Sequence, residues 1–260
     1  MKIVGINIDG VIRDYVNSFD SQYRRVFIFD ENNLNLNMGE KGDTVNLTEE
    51  TFSPVEMTED EKDKLREARK EKERMLITLP VDTDDLLNHY RFEPKKIKTQ
   101  QFLEDGTIDD KPIIMSPQEV MEDFIYDMRP YQIFARASEY DHSCEMVNRL
   151  QSYGFGKGLF KIILFSTVKS KGIPATFEFL SSHHCRAKNI MFLEEESQKW
   201  DFCDILIDST PQAIQSCPAD KTVIRINREW NKWDKVDLSY DSLRDVFKNR
   251  AEIFGENLND

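Results

Sequence analysis

The chain has 260 residues, 39% of them hydrophobic and 32% charged, which excludes a chain dominated by disorder and leaves enough apolar mass for a sizeable core. Its net charge of −13 repels phosphate backbones and argues against a nucleic-acid partner. No apolar run approaches the ~18 residues that a membrane span needs, and the opening MKIVGINIDG reads as a buried strand rather than an export signal, so a cytoplasmic, non-secreted protein is expected.

Residues 2–8 form a near-continuous apolar run that ends at Asp9-Gly10, the pattern of a strand covered on both faces. Residues 11–23 place Ile12, Tyr15, Phe19 and Tyr23 on one stripe and predict a helix. Residues 28–57 are rich in Asn, Glu and Gly without periodicity and read as loop or irregular hairpin. Residues 59–74 are almost all charged, with both signs interleaved at helical spacing, and predict a solvated helix with a thin apolar stripe. Helices are expected over 117–128, 142–153 and 174–182, the last with Pro174 in its first turn. Further buried strands are expected at 160–165, 189–193, 204–208 and 222–226. A final helical stripe carries Leu243, Val246, Phe247, Ile253 and Phe254.

Strands alternating with helices predict an α/β fold, a parallel sheet of about five strands flanked by helices. The expected division is a core of residues 1–27 and 115–260, with a small helical cap near 115–140, and an insertion at 28–114 after the first strand. That insertion comprises the irregular segment and the charged helix over 59–76. Cys144, Cys185, Cys203 and Cys217 have no CxxC or zinc spacing and read as reduced thiols. His183-His184 beside Cys185 reads as a helix C-terminus, where His is favoured, rather than a metal site.

In open α/β sheets, ligands bind beyond the carboxyl ends of the strands. Asn7 and Asp9 therefore stand where chemistry is expected, with Gly10 allowing a sharp turn. The run Ile6-Asn7-Ile8-Asp9-Gly10-Val11, followed in order by Leu164-Phe165-Ser166-Thr167, Lys171 and Leu206-Ile207-Asp208-Ser209-Thr210-Pro211, resembles the four motifs of the haloacid dehalogenase-like (HAD) hydrolases. Within that superfamily it is most similar to 5'(3')-deoxyribonucleotidase-like proteins, some of which in bacteriophages are degenerate copies. The Asn227–Asn231 stretch, with Trp230, also resembles those relatives; packing of its aromatic side chain against the sheet is the plain alternative.

The resemblance implies a Rossmannoid HAD-like fold. It implies a nucleophile at position 7, a general acid/base at Asp9, phosphate contacts from Ser166, Thr167 and Lys171 (with Lys169 as runner-up), and a Mg²⁺ site at Asp208 and the Asp9 backbone. Two departures count against activity. Asn7 stands where the family has an aspartate, and a neutral amide is a poor nucleophile. Ser209 stands where the fourth motif has its second acid, so a weak or lost Mg²⁺ site is expected and no other cofactor. Each residue also has a structural alternative: Asn7 tying the strand end, Asp9 bonding turn amides, Ser166 and Thr167 capping a turn, Lys171 on the surface, and Asp208 buttressing the sheet.

The expected function is that of a catalytically degenerate HAD-like protein used in binding or assembly, as a bacteriophage virion or accessory component, in host cytoplasm or virion. The expected partners are proteins, including phage structural proteins, and a small phosphate compound. The alternatives are a Mg²⁺-dependent phosphatase or 5'(3')-nucleotidase, in which another carboxylate such as Asp14 or Asp204 attacks, and a phosphate-ligand sensor without turnover.

Overall fold

A computed structural model describes residues 1–28, 90–97, 101–102, 108–109, 113–233 and 235–255. The charged helix expected over 59–76 and the irregular segment from 29 to 57 lie outside the described residues. The chain divides into two compact units, one of Met1–Phe19 with Pro80–Asp260 and the other of Asp20–Leu79. In the second unit, Arg24 donates to Asp20 at 2.7 Å, and the rings of Tyr23 and Phe27 stand 4.9 Å apart.

The elements run in chain order as β1 (Lys2–Asn7), α1 (Tyr15–Tyr23), the short strands β2 (Lys95–Ile97), β3 (Gln101–Phe102), β4 (Ile108–Asp109) and β5 (Ile113–Met115), then α2 (Pro117–Asp123). α2 continues as a wider helical turn at Phe124–Met128, with another at Tyr131–Ala135. The rest is α3 (Ser143–Gly156), β6 (Phe160–Ser166), α4 (Gly172–Ser182), β7 (Ile190–Phe192), a 3₁₀ turn at Glu196–Asp201, β8 (Ile205–Asp208), α5 (Pro211–Gln215), β9 (Thr222–Ile226), β10 (Leu238–Tyr240), α6 (Leu243–Lys248) and α7 (Arg250–Phe254).

Six strands form one sheet in the order β10-β9-β8-β1-β6-β7, every neighbouring pair parallel. The expected α/β class is observed, and the sheet has one strand more than expected. β10 is the addition, three residues long and too short to stand out as a periodic run. The chain builds outward from β1 through β6 and β7, then crosses back to build β8, β9 and β10 on the other side. That reversal puts the switch point beside β1, at the carboxyl ends of the three central strands.

Alternate residues of the strands face opposite layers. Val4, Ile6, Ile162, Leu164, Ile205, Ile207, Ile224 and Ile226 join one core with Val147 and Leu150 of α3, Phe179 and Leu180 of α4, and Leu243 and Val246 of α6. Phe165 and Leu206 face the other layer, against Trp200, Cys203 and Ala213. Burial on both faces is why these strands read as unbroken apolar runs.

The first expected helix starts later than its apolar stripe suggested. Residues 9–14 form a tight turn in which Gly10 has φ +82° and the amides of Ile12 and Arg13 both donate to the Ile8 carbonyl. The helix then begins at Tyr15. The helix expected over 117–128 is observed as α2 and the wider turn that continues it. Ser116 accepts from the Glu119 amide while Glu119 bonds back to the Ser116 amide, a reciprocal cap, with Pro117 in the first turn. In the same unit the rings of Phe19 and Tyr90 meet edge-on at 4.8 Å, and Phe124 meets Phe19 at 5.8 Å. No helix among the described residues is long and apolar enough to cross a membrane.

Candidate functional site

The ends of β1, β6 and β8 bring Asn7, Asp9, Ser166, Thr167 and Asp208 together, and each of these side chains is already engaged. Asn7 is buried at the last position of β1. Its amide nitrogen donates to the Asp9 carbonyl at 2.8 Å and to Asp208 Oδ1 at 2.9 Å, with Thr210 Oγ1 at 3.2 Å. Acceptors on several sides fix which way the amide faces.

Asp208 is fully shielded from water. Its Oδ1 also accepts the backbone amides of Ser209 at 2.7 Å and Thr210 at 2.9 Å, an Asx turn that closes the end of β8. Its Oδ2 accepts from Lys199 at 2.7 Å. Lys199 is itself fully buried and also pairs with Glu196. Burial would lower its pKa, but the carboxylates of Asp208 and Glu196 outweigh that and hold it above the usual lysine value.

Asp9 meets Arg13. The Nε–H donates to Oδ1 at 2.7 Å. Nη2 also lies 2.7 Å from that oxygen, which counts as ion pairing, although its N–H bonds are not pointed for a hydrogen bond. Nη1 donates to the Phe134 carbonyl at 3.2 Å and to Thr176 Oγ1 at 3.0 Å. The guanidinium carbon lies 4.9 Å from the centre of the Phe134 ring and 5.3 Å from that of Phe179. The other oxygen of Asp9 accepts from Ser166 at 3.0 Å, and Thr167 donates to Glu196 at 2.7 Å. Both hydroxyls therefore point at carboxylates.

Lys171 lies apart from this network. It is exposed and pairs with Asp127 at 2.8 Å, while Lys169 pairs with Glu122 at 3.1 Å, so both lysines tie the loop after β6 to the cap helices. The buried lysine on Asp208 is Lys199. The carboxylates considered as replacement nucleophiles are also committed. Asp204 accepts from the Ile3 amide at 2.7 Å, at the opposite end of the strands, and Asp14 accepts from Tyr140 at 2.8 Å and from Asn17 at 2.7 Å.

The segment after β9 straps the two turns together. Arg228 donates to the Gly10 carbonyl at 2.7 Å, and Trp230 and Asn231 donate to the Ser209 carbonyl at 3.0 and 2.8 Å. Trp230 thus does more than pack, and Ser209 contributes through its backbone.

A Mg²⁺ ion at this position would be held by the Asp9 carbonyl, Asp208 and the side chain at position 7. The donor set does not suit it. A hard dication prefers charged oxygens, but Asn7 presents an N–H to both of the other oxygens. Asp208 already pairs with Lys199, and Ser209 adds no charge. Among the described residues no group of three or more His, Cys, Asp or Glu side chains converges as a metal site.

Above the network, a cleft of about 430 Å³ opens between the cap helices and the sheet edge, with Tyr15, Ile125 and Tyr126 among its apolar walls. Glu122, Glu194, Glu195 and Glu196 line it against Lys169 alone. Such a balance of charge opposes a phosphate dianion.

Sequence reasoning missed Arg13, Lys199 and Glu196. Arg13 had a signal, its i, i+4 spacing from Asp9, whereas Lys199 sits in a polar stretch that looks like any surface turn.

No protein-family model and no curated protein matches the chain. Among solved structures, it is similar to YfnB of Bacillus subtilis, described as a HAD-hydrolase bound to magnesium, at 11% identity over 98% of this chain and 99% of that one, with a TM-score of 0.47. A HAD phosphatase from Thermococcus onnurineus matches at 11% identity over 98% of each chain, TM-score 0.45. A dehalogenase matches at 11% identity over 99% of this chain and 98% of that one, TM-score 0.45. Likeness at this level assigns no role to any residue here.

Proposed function

We propose that the chain is a HAD-like protein whose phosphoryl-transfer site has become a structural polar network, and that it acts in binding or assembly with a protein partner, as a bacteriophage virion or accessory component. The HAD reading rests on the four motifs in order, three of which fall at the carboxyl ends of the central strands. The bacteriophage part rests on sequence resemblance.

One observation carries the loss of activity. The Asn7 amide donates to the Asp9 carbonyl and to Asp208, groups that would help hold a Mg²⁺ ion in a HAD-like site. An N–H donor there takes over the role of holding the β1 and β8 ends together, and it removes the nucleophile in the same substitution. Arg13 supports this reading, since it and Ser166 hold one oxygen of Asp9 each and fix the carboxylate against the protein.

The test is Mg²⁺-dependent hydrolysis of p-nitrophenyl phosphate and a set of deoxynucleoside monophosphates by the native protein beside Asp9→Asn. The expected result is no turnover above the buffer rate for either. Native turnover that Asp9→Asn abolishes would overturn the proposal and restore the phosphatase reading.

A further inference from the structure

Two of the four free cysteines meet in the fold. Cys144 sits in the first turn of α3 and is wholly buried, while Cys185 follows α4 and is half-buried against the same core. Their thiols share a hydrogen bond, with the Cys144 S–H facing the Cys185 sulfur. The Cys185 amide donates to the Leu180 carbonyl at 2.8 Å, and His184 before it is left-handed, with φ +56°.

One face of α3 holds this segment in place. Cys144, Asn148 and Gln151 follow one another at i, i+4 and i+7, the spacing of a single helix face. Asn148 donates to the His184 carbonyl at 2.9 Å and accepts the Arg186 amide at 2.7 Å, so one side chain grips the backbone on both sides of Cys185. Gln151 continues the grip, donating to the Arg186 carbonyl at 3.1 Å and accepting the Lys188 amide at 3.3 Å. The place of Cys185 beside Cys144 is thus set by backbone contacts and not by the thiols themselves. Glu139 accepts the Cys144 amide at 3.0 Å and lies beside its thiol, with His183 Nδ1 3.8 Å from the other carboxylate oxygen.

The two sulfurs differ in the way that stepwise exchange needs. Cys185 is partly exposed, and hydrogen bonds from the Cys144 thiol and the Ala187 amide favour its thiolate. Cys144 is shielded from solvent and attacks only a sulfur already next to it. An accessible, thiolate-prone cysteine poised beside a resolving one is the arrangement of redox-sensitive pairs.

We propose that Cys144 and Cys185 form a redox-active pair that closes into a disulfide by exchange with a small-molecule disulfide such as oxidised glutathione, linking α3 to the connection between α4 and β7. The Cys185 sulfur attacks one sulfur of the small disulfide, whose S–S bond breaks. One small thiol leaves, carrying the proton that Cys185 gave up. Cys144 then attacks the Cys185 sulfur of the mixed disulfide and releases the second small thiol, with Glu139 placed to take the Cys144 proton and pass it on. Two protein thiols are oxidised and one small disulfide is reduced to two thiols. Neither cysteine belongs to the network around Asp9 and Asp208, so the pair stands independently of the fate of that centre.

The experiment incubates the folded native chain with oxidised glutathione, quenches with acid, counts thiols and maps peptides by mass spectrometry. Two of the four thiols should be lost, and a linked Cys144–Cys185 peptide should appear that dithiothreitol separates. Cys144→Ala, once circular dichroism confirms its fold, should stop with glutathione on Cys185. Cys185→Ala should leave Cys144 reduced, and Cys217→Ala should close as the native chain does. A native chain that stays reduced, that stops with glutathione on Cys185, or that links through Cys203 or Cys217 instead would overturn the proposal.

Discussion

Arg13 holds Asp9 through an Nε–H 2.7 Å from Oδ1, and the arginine side chain is wholly shielded from water. A buried guanidinium without its carboxylate is strongly unfavourable, and so is a largely buried carboxylate without its cation. Arg13→Met and Asp9→Asn should therefore each cost about 3 kcal/mol. The double variant should cost less than the sum by about 1–3 kcal/mol, since each single change strands the other partner. Urea denaturation of the four proteins gives the coupling. Additive losses would show that the pair contributes nothing jointly.

Lys199 joins Asp208 to Glu196 in the interior. Lys199→Met should cost about 3–5 kcal/mol at neutral pH, because Asp208 would keep a buried charge. The pH dependence has a definite sign. The folded pKa of Lys199 lies above the ordinary 10.5, so its contribution is complete below about pH 10.5 and is lost as pH rises through the folded value. The gap between native and Lys199→Met stabilities should thus stay level from pH 7 to about 10 and narrow above that. Denaturant titrations across this range check it, and a gap that closes below pH 9 would contradict it.

Gly10 is confined twice over. Its φ is +82°, and a Cβ there would lie 2.1 Å from Ser209 Oγ. Gly10→Ala should cost about 3 kcal/mol or more, combining left-handed strain of ~1–2 kcal/mol with the clash. Adding Ser209→Gly should recover the clash and leave the strain. Melting temperatures of the single and double variants separate the two terms, and a double variant no better than Gly10→Ala would refute the steric part.

The four thiols differ in reactivity. Burial pushes Cys203 up to about 12, whereas a hydrogen bond from Cys144 holds the half-buried Cys185 below the ordinary thiol value. Burial and its neighbours push Cys144 up as well; since the thiolate is the nucleophile, iodoacetamide at neutral pH should label Cys185 first and the buried Cys144 and Cys203 last. Peptide mapping over time reads the order. Equal rates in the folded protein would contradict it.

The sheet was legible because strands buried on both faces leave long apolar runs, as in KIVGINI and FKIILF. β10 was not legible, since three residues with one exposed serine carry no period. Asn7 and Asp9 were nominated from the end of the first strand and Ser166, Thr167 and Asp208 from motif resemblance, and the structure brings these side chains into one hydrogen-bonded cluster at the switch point. Lys171 was nominated by resemblance, as a lysine near the start of the helix after β6, while the lysine that reaches Asp208 comes from the 3₁₀ turn before β8. Convergence of that kind arises from the crossover between β7 and β8, which local pattern does not encode. Arg13 was obscured differently: residues 11–14 read as the first turn of a helix, whereas the structure folds them into a turn that brings the arginine back onto Asp9.

The Asn7 amide donates to the Asp9 carbonyl and to Asp208, and we propose that this contact stands in for the Mg²⁺ ion those groups would help hold. It is tested most directly by melting the native protein and Asn7→Asp across a Mg²⁺ titration. The native protein should show no saturable Mg²⁺ stabilisation. Asn7→Asp should be less stable without metal, because it sets a carboxylate against Asp208, and should regain stability with Mg²⁺ by mass action. Saturable stabilisation of the native protein at millimolar Mg²⁺ would contradict the account.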